Sequence, residues 1–215
     1  MTQLAASSGL IGLIADSHGH KSSMSRCIDR LTSYGVEIII HLGDFFDSQY
    51  SEDVMGILEI IQQNQILAVK GNNDYQVEKS MMNGCSHHIP AIDRQKVLSF
   101  LASVPMKRVI GDICFTHSLP YDSIRSFYEP MDTGNTDRAK QVFLHTPYRI
   151  VFCGHSHSPV LFRMRPDQTT RENIKRSGPT TLYQNERFII IVGSAEESEC
   201  GFFDISKMEY ERIRI

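Results

Sequence analysis

Apolar residues along this chain fall into short runs, each stopped by a polar, glycine-bearing turn. Leu10–Ala15 (LIGLIA) is continuously apolar and ends in Asp16-Ser17-His18-Gly19-His20, which predicts a strand buried on both faces. Met24, Ile28 and Leu31 then recur at helical spacing, with Ser22 or Ser23 as the cap and Gly35 as the stop. Val36–Leu42 predicts a second strand running into Gly43-Asp44. A second helix fits Glu52–Gln63, with Val54, Met55, Leu58 and Ile61 inward, and Ile66–Val69 predicts a third strand stopping at Gly71-Asn72-Asn73-Asp74. Strand, helix, strand, helix, strand is the pattern of βαβ units and a largely parallel sheet.

The second half is richer in strands. Val97–Val104 predicts a short helix ahead of Pro105, and Arg108–Ile110 and Ile113–Thr116 flank a hairpin turn at Gly111-Asp112. A helix over Thr136–His145 precedes a strand over Arg149–Cys153, which ends in Gly154-His155-Ser156-His157. Val160–Arg165, Thr180–Gln184, Phe188–Val192, Gly201–Ile205 and Tyr210–Ile215 follow without helices between them, so antiparallel pairing is expected. Ser118–Asn135 has no regular period, and a long irregular segment in a small protein is often functional.

The chain has 215 residues, enough for one domain spanning 1–215, and no linker or repeat divides it. A net charge of −3 gives no basic footprint for a stable nucleic-acid complex, although a nucleotide remains possible as substrate. Cys27, Cys85, Cys114, Cys153 and Cys200 are odd in number and scattered, which predicts reduced thiols. Met1–Gly9 lacks the basic flank and apolar core of a signal peptide, and no run is long enough to span a membrane. These features together predict a cytoplasmic protein.

Five of the predicted strands end in residue types that bind metal: Asp16 with His18, then Asp44, Asn72, His117, and His155 with His157. In open α/β sheets ligands bind beyond the carboxyl ends of the strands, so residues far apart in sequence can meet there. Carboxylate, amide and imidazole donors without thiolate suit hard or borderline divalent ions such as manganese, iron, zinc or nickel, and manganese is the one expected here. A carboxylate such as Asp44 has lone pairs enough to bridge two ions.

The motifs DSH (Asp16–His18), GD (Gly43–Asp44), GNND (Gly71–Asp74), the histidine of FTHS (His117) and GHSH (Gly154–His157) resemble, in order, the five-block signature of the calcineurin-like metallophosphoesterases. The likeness is greatest to the small bacterial and archaeal phosphodiesterase branch, which includes the retromer subunit relative. It implies an α/β (α+β) fold of two mixed β-sheets packed as a sandwich with helices on the outer faces, a four-layer αββα arrangement. It implies two divalent metal ions, one held by Asp16, His18 and His157, the other by Asn72, His117 and His155, with Asp44 between them. Ions about 3.5–4 Å apart lower the pKa of a bridging water, and the resulting hydroxide would attack a phosphate ester. The implied activity is a phosphodiesterase acting on a phosphate-ester or nucleotide-like small molecule. A phosphomonoesterase, a dinucleoside-polyphosphate hydrolase and a catalytically silent binding module of the same fold are the alternatives.

Two departures narrow this expectation. Many family members read GNH, with a histidine that assists the leaving group, where this chain has Asn73. An amide donates hydrogen bonds to a phosphoryl oxygen but supplies no proton, so Asn73 is the candidate catalytic residue in a reduced role. The GDxxDRG of the Ser/Thr phosphatases is also incomplete, since Asp47 matches but Ser48 replaces the arginine. Asp47 reads as a turn residue or a partner of the site, His41 as a hydrogen-bonded core histidine, and His20 as a loop residue that could reach substrate. His87, His88 and His145 have no spacing that recommends them. Ser118–Asn135 carries Tyr121, Arg125, Phe127 and Tyr128, and reads as a cleft wall or as an aromatic cluster packed beneath a loop.

Overall fold

The apolar run at Leu10 forms the central strand of the first of two sheets. The computed structural model describes residues 9–48, 53–84, 90–175 and 177–215. Strand β1 (Leu10–Ile14) pairs in parallel with β2 (Ile38–His41), which pairs in parallel with β3 (Leu67–Ala68). On its other side β1 runs antiparallel to β11 (Glu199–Asp204), followed by β12 (Glu209–Arg214) and β9 (Thr180–Thr181). The second sheet has the order β4-β5-β6-β10-β7-β8, made of Lys107–Ile110, Ile113–Thr116, Ile150–Cys153, Arg187–Ile191, Val160–Arg165 and Gln168–Asn173. Its centre is parallel, since β6 pairs in parallel with both β5 and β10.

The two sheets face each other across one apolar layer. Ile11, Leu13 and Ile40 from the first sheet meet Phe115, Phe152, Phe188 and Ile190 from the second, all buried. The opposite face of β1 is covered as well, with Ile14 in a cluster that holds the buried sides of α1 (Lys21–Ser33), α2 (Val54–Gln63), α3 (Asn72–Met82) and α4 (Ala91–Ser103). A strand covered on both faces has no solvent side on which to alternate, which explains the unbroken apolar run. Outside the second sheet, Ala139, Val142 and Phe143 of α5 (Asp137–His145) pack with Leu119 and Met131. This gives the four layers that the family resemblance implies, helices outside two mixed sheets.

The differences from the sequence pattern have local causes. Helix α3 was not anticipated, because its buried face amounts to Asp74, Val77 and Met81 and shows little apolar period. Helix α4 starts at Ala91, well before Val97, for the same reason: only Val97 and Leu101 are buried. Strand β8 (QTTREN) is polar because it lies at a sheet edge. Ser22 and Ser23 lie inside α1, whose N-cap is His20, and α2 is capped by Asp53, which accepts from Gly56 N (2.7 Å). Strand β10 departs from the antiparallel expectation in its parallel pairing with β6. The expectations placed on Met1–Ser8, Glu52, Cys85, His87 and His88 lie outside the described residues; Cys27, Cys114, Cys153 and Cys200 are buried free thiols. Among the described residues no helix is long and apolar enough to cross a membrane.

Phe152 sits at the centre of the inter-sheet layer, with ring centroids 5.6 Å from Phe115, 5.2 Å from Phe203 and 5.7 Å from Tyr210. Phe152→Ala is expected to destabilise the protein by about 3–5 kcal/mol. Urea unfolding followed by circular dichroism measures this, and a loss below about 1 kcal/mol would contradict the assignment of this layer as the main core.

Candidate metal centre

The loops that follow β1, β2, β5 and β6 are laced together by their own backbones. Asp16 N donates to Gly43 O (3.1 Å), His18 N to Asp44 O (3.0 Å) and Gly154 N to His117 O (2.9 Å). To turn the side chains inward, the backbone adopts left-handed conformations at Asp16 (φ 51°), His18 (φ 42°), Asp44 (φ 55°), His155 (φ 71°) and His157 (φ 58°). Such conformations cost on the order of 1–3 kcal/mol per residue and persist only where the surroundings hold them. All five are among the residues singled out in the sequence as metal ligands.

The side chains meet in two groups. Asp16, His18 and His157 each offer a donor atom within 4.8 Å of the others, and so do Asp44, His117 and His155. In the first group His18 Nε2 lies 3.1 Å from His157 Nε2, and Asp16 Oδ1 lies 3.9 Å from the same atom. In the second, Asn72 Oδ1 stands 2.9 Å from His117 Nε2 and 3.0 Å from His155 Nδ1, and those two nitrogens are 3.1 Å apart. Asp44 Oδ2 approaches His117 Nε2 at 3.5 Å. Donors bound at about 2.0–2.2 Å to one ion, at right angles, stand about 3 Å apart, so the second group has the spacing of a coordination shell.

The protonation states suit a cation. His117 Nδ1 donates to the Leu42 carbonyl (3.0 Å), which leaves the Nε2 lone pair facing Asn72 and His155. Burial lowers the pKa of His117 and His157, and burial with the neighbouring His117 lowers His155 to about 4. These imidazoles are therefore neutral at pH 7. Asp16 Oδ2 accepts from His155 N (2.8 Å), whereas Oδ1 is buried with no hydrogen-bond partner. Burial, then the charge of Asp44, raises the Asp16 carboxyl well above its ordinary range. An orphaned carboxylate oxygen beside neutral imidazole nitrogens fits a divalent ion better than it fits a closed hydrogen-bond network.

Two glycines are fixed by close approach. A Cβ on Gly71 would stand 2.1 Å from Asp44 Oδ1, and one on Gly154 would stand 2.5 Å from Asp16 Oδ2. The glycines of GNND and GHSH therefore make room for the two carboxylates. Asn73 is tied to the same site: its backbone N donates to Asp44 Oδ1 (2.9 Å), its Nδ2 to Asp44 Oδ2 (2.6 Å), and its Oδ1 accepts from Ser48 Oγ (2.6 Å).

Other histidines and acids singled out in the sequence lie close by. His41 is fully buried, contacts Ser17 Oγ through Nε2 (3.0 Å) and has its pKa lowered to about 3 by burial, as a core histidine should. His20 pairs with Glu196 (3.3 Å), and both border a cleft of about 600 Å³ with His18, Lys21, Asp47 and Asp53. His145 is exposed at the end of α5, where its Nδ1 contacts the Gln141 carbonyl (2.8 Å).

The residue that sequence reasoning missed is Asp74. It is fully buried and its carboxylate accepts from Asp44 N (2.8 Å), Phe46 N (2.9 Å) and Gly71 N (2.8 Å), clamping the GD and GNND loops together. An aspartate three residues after Gly71, at the start of a helix, is a capping signal that could have found it. Asp74→Ala leaves these donors without their acceptor and is expected to cost about 2–4 kcal/mol. Chemical denaturation measures the loss, and a variant as stable as the parent would remove Asp74 from this role.

The comparisons with known proteins agree with this geometry. The calcineurin-like phosphoesterase superfamily domain matches residues 10–194. A metallophosphoesterase from Sphaerobacter thermophilus has a TM-score of 0.73 and 18% identity over 96% of this chain and 87% of that one. A protein described as a candidate diadenosine tetraphosphatase gives 0.61 and 15% over 98% and 95%. An archaeal phosphodiesterase gives 0.52 and 17% over 96% and 99%. At these identities the structural likeness speaks for the fold. No curated protein matches the sequence. The match across residues 10–194 carries the family: the chain belongs to the calcineurin-like phosphoesterase superfamily and is a metal-dependent phosphoesterase, a hydrolase of phosphate esters whose family works with two metal ions.

Proposed function

We propose that the chain is a phosphodiesterase in which Asp16, His18 and His157 hold one divalent ion, Asn72, His117 and His155 hold the other, and Asp44 serves both. The observation that supports this most directly is the convergence of Asn72 Oδ1, His117 Nε2 and His155 Nδ1 at 2.9, 3.0 and 3.1 Å. Two divalent ions supply Lewis acidity, attract an anionic ester and activate water near neutral pH. The mixed oxygen and nitrogen set suits manganese, iron, zinc or nickel, and manganese is the ion proposed here. Asp44 would be oriented by the two donors of Asn73, and His117 by the Leu42 carbonyl.

Asn73 shapes the choice of substrate. Its amide can donate a hydrogen bond but no proton, and general acid assistance is worth roughly 10²–10⁴-fold. A site without it favours esters whose leaving groups depart readily, and the likeness of its motifs to the small phosphodiesterase branch points to diesters. The substrate class would be a phosphate-ester or nucleotide-like small molecule. The buried free thiols of Cys27, Cys114, Cys153 and Cys200 fit a cytoplasmic setting, and the net charge of −3 fits a protein without a stable nucleic-acid partner.

Metal analysis combined with kinetics tests the assignment. The manganese-loaded protein is expected to hydrolyse bis(p-nitrophenyl) phosphate faster than p-nitrophenyl phosphate. Asp44→Ala and His117→Ala are expected to lower kcat/KM by about 10²–10³-fold and to reduce bound metal. Equal activity in the parent and both variants would sink the two-metal reading. Preference for the monoester would move the assignment to a phosphomonoesterase, and preference for a dinucleoside polyphosphate in a nucleotide panel would move it to that hydrolase. Metal binding without turnover of any ester would indicate a silent binding module.

A second test uses pH. The carboxyls of Asp16 and Asp74 are raised chiefly by burial and next by the charge of Asp44. A carboxyl raised in the fold stabilises the metal-free protein fully below the unfolded pKa of about 4, and that contribution is lost as pH rises through the folded value. A cation at Asp16 Oδ1 opposes the loss, because it favours the ionised form. The rise in Tm on adding manganese to chelator-treated protein should therefore be larger at pH 8 than at pH 5, with each extra kcal/mol worth about 2–4 °C. Calorimetry at the two pH values decides it, and an equal rise at both would count against Asp16 as a ligand.

A further inference from the structure

Ser118–Asn135 leaves the site directly after His117 and is fixed at points beside the predicted ligands. Ser118 Oγ donates to the Glu129 carbonyl (2.5 Å). Ser156 Oγ, between His155 and His157, donates to Asp132 Oδ1 (2.7 Å). Gln76 Nε2 donates to Tyr128 Oη (2.7 Å). Gln76 lies four residues beyond Asn72 and three beyond Asn73 in α3, hence on the same helix face, about 5–6 Å further along the axis. The Tyr128 phenol is thus anchored about one helical turn from Asn72.

Packing accounts for the segment's other two aromatic residues, Tyr121 against the cluster that holds α5 and Phe127 against α3, but not for Tyr128. Phe127 is 3% exposed and rests on Tyr75 with ring centroids 5.9 Å apart. Glu129 is held between Arg125 and Arg138. Tyr128, between them in sequence, remains 41% exposed. A ring serving only to close the segment would be buried as Phe127 is. Here the hydroxyl is fastened and the ring is left partly open.

We infer that Tyr128 is a specificity-determining residue whose ring, fastened by Gln76, stacks on a flat aromatic group of the substrate, so that the site favours nucleoside or aryl phosphate esters over esters of simple alcohols. The inference rests on the phosphoesterase reading of the metal centre. Stacking on an aromatic side chain is tolerant of base identity, because every base has a π face. A ring already held by a hydrogen bond loses little freedom when it stacks, which favours the interaction further.

AMP and ribose 5-phosphate share the phosphate and the sugar and differ by the base, so the ratio of their Kd values isolates the stacking contribution. Titration calorimetry of the manganese-loaded protein is expected to show AMP binding about tenfold more tightly. Tyr128→Ala should abolish that advantage while leaving the Kd for ribose 5-phosphate within about twofold, and Tyr128→Phe should keep most of it. An unchanged ratio in Tyr128→Ala overturns the inference, and so does a parent protein that binds both ligands equally. Hydrolysis of bis(p-nitrophenyl) phosphate by the same preparations keeps the two ideas separate: an inactive parent counts against the phosphodiesterase reading, while the binding ratio still decides the role of Tyr128.

Discussion

The rest of the structure depends on bringing acceptor atoms together where the strands end. His117 gives its Nδ1 proton to the Leu42 carbonyl, so its Nε2 lone pair faces Asn72 Oδ1 at 2.9 Å. Asp16 Oδ1 is buried beside His157 without a donor of its own. Such an arrangement carries electrostatic and desolvation costs that a bound cation would offset. A divalent cation is the simplest species that answers all of these groups at once. The strand order follows from the same need, because β1, β2 and β3 in one sheet and β5 and β6 in the other run in parallel and open their carboxyl ends onto the shared site.

Holding these atoms in place requires structure that the metal itself does not supply. Left-handed backbone at Asp16, His18, Asp44, His155 and His157 is unfavourable locally and is sustained by hydrogen bonds between loops, such as those from Asp16 N to Gly43 O and from His18 N to Asp44 O. Asp74 adds a buried carboxylate that gathers donors from both sides of the GD and GNND turns. Rigid apolar layers lie beneath, so the loops have a fixed base. Precision at the site is therefore distributed over the sandwich core, the laced loops and Asp74.

How much of this could be read in advance depended on how each residue advertises its environment. The buried strands were legible because burial on both faces forces apolar runs such as Leu10–Ala15, and the side chains that converge in the two donor groups were legible because turns end those runs at recognisable residue types. Helix α3 was hidden because a buried Asp74 and the few apolar residues behind it leave little periodic signal. Strand β8 was hidden because an edge position tolerates polar residues. Asp74 itself was overshadowed by Asn72 and Asn73, and with α3 unrecognised its place in the first turn of a helix went unread. The pairing of β10 with β6 could not be read at all, since parallel and antiparallel neighbours bury the same apolar side chains.

Asn73 shows how a departure from a family pattern becomes interpretable once its contacts are known. Read alone, an asparagine in place of histidine is a missing proton donor. In the fold, both its backbone N–H and its side-chain amide point to Asp44, and its carbonyl oxygen accepts from Ser48. Those bonds orient Asp44, whose Oδ2 stands 3.5 Å from His117 Nε2 in the second donor group. An amide at this position has no proton to give at neutral pH, and its donors are committed to Asp44. Under the proposed function, discrimination between substrates would then fall to side chains outside the two donor groups, such as Tyr128 beside α3.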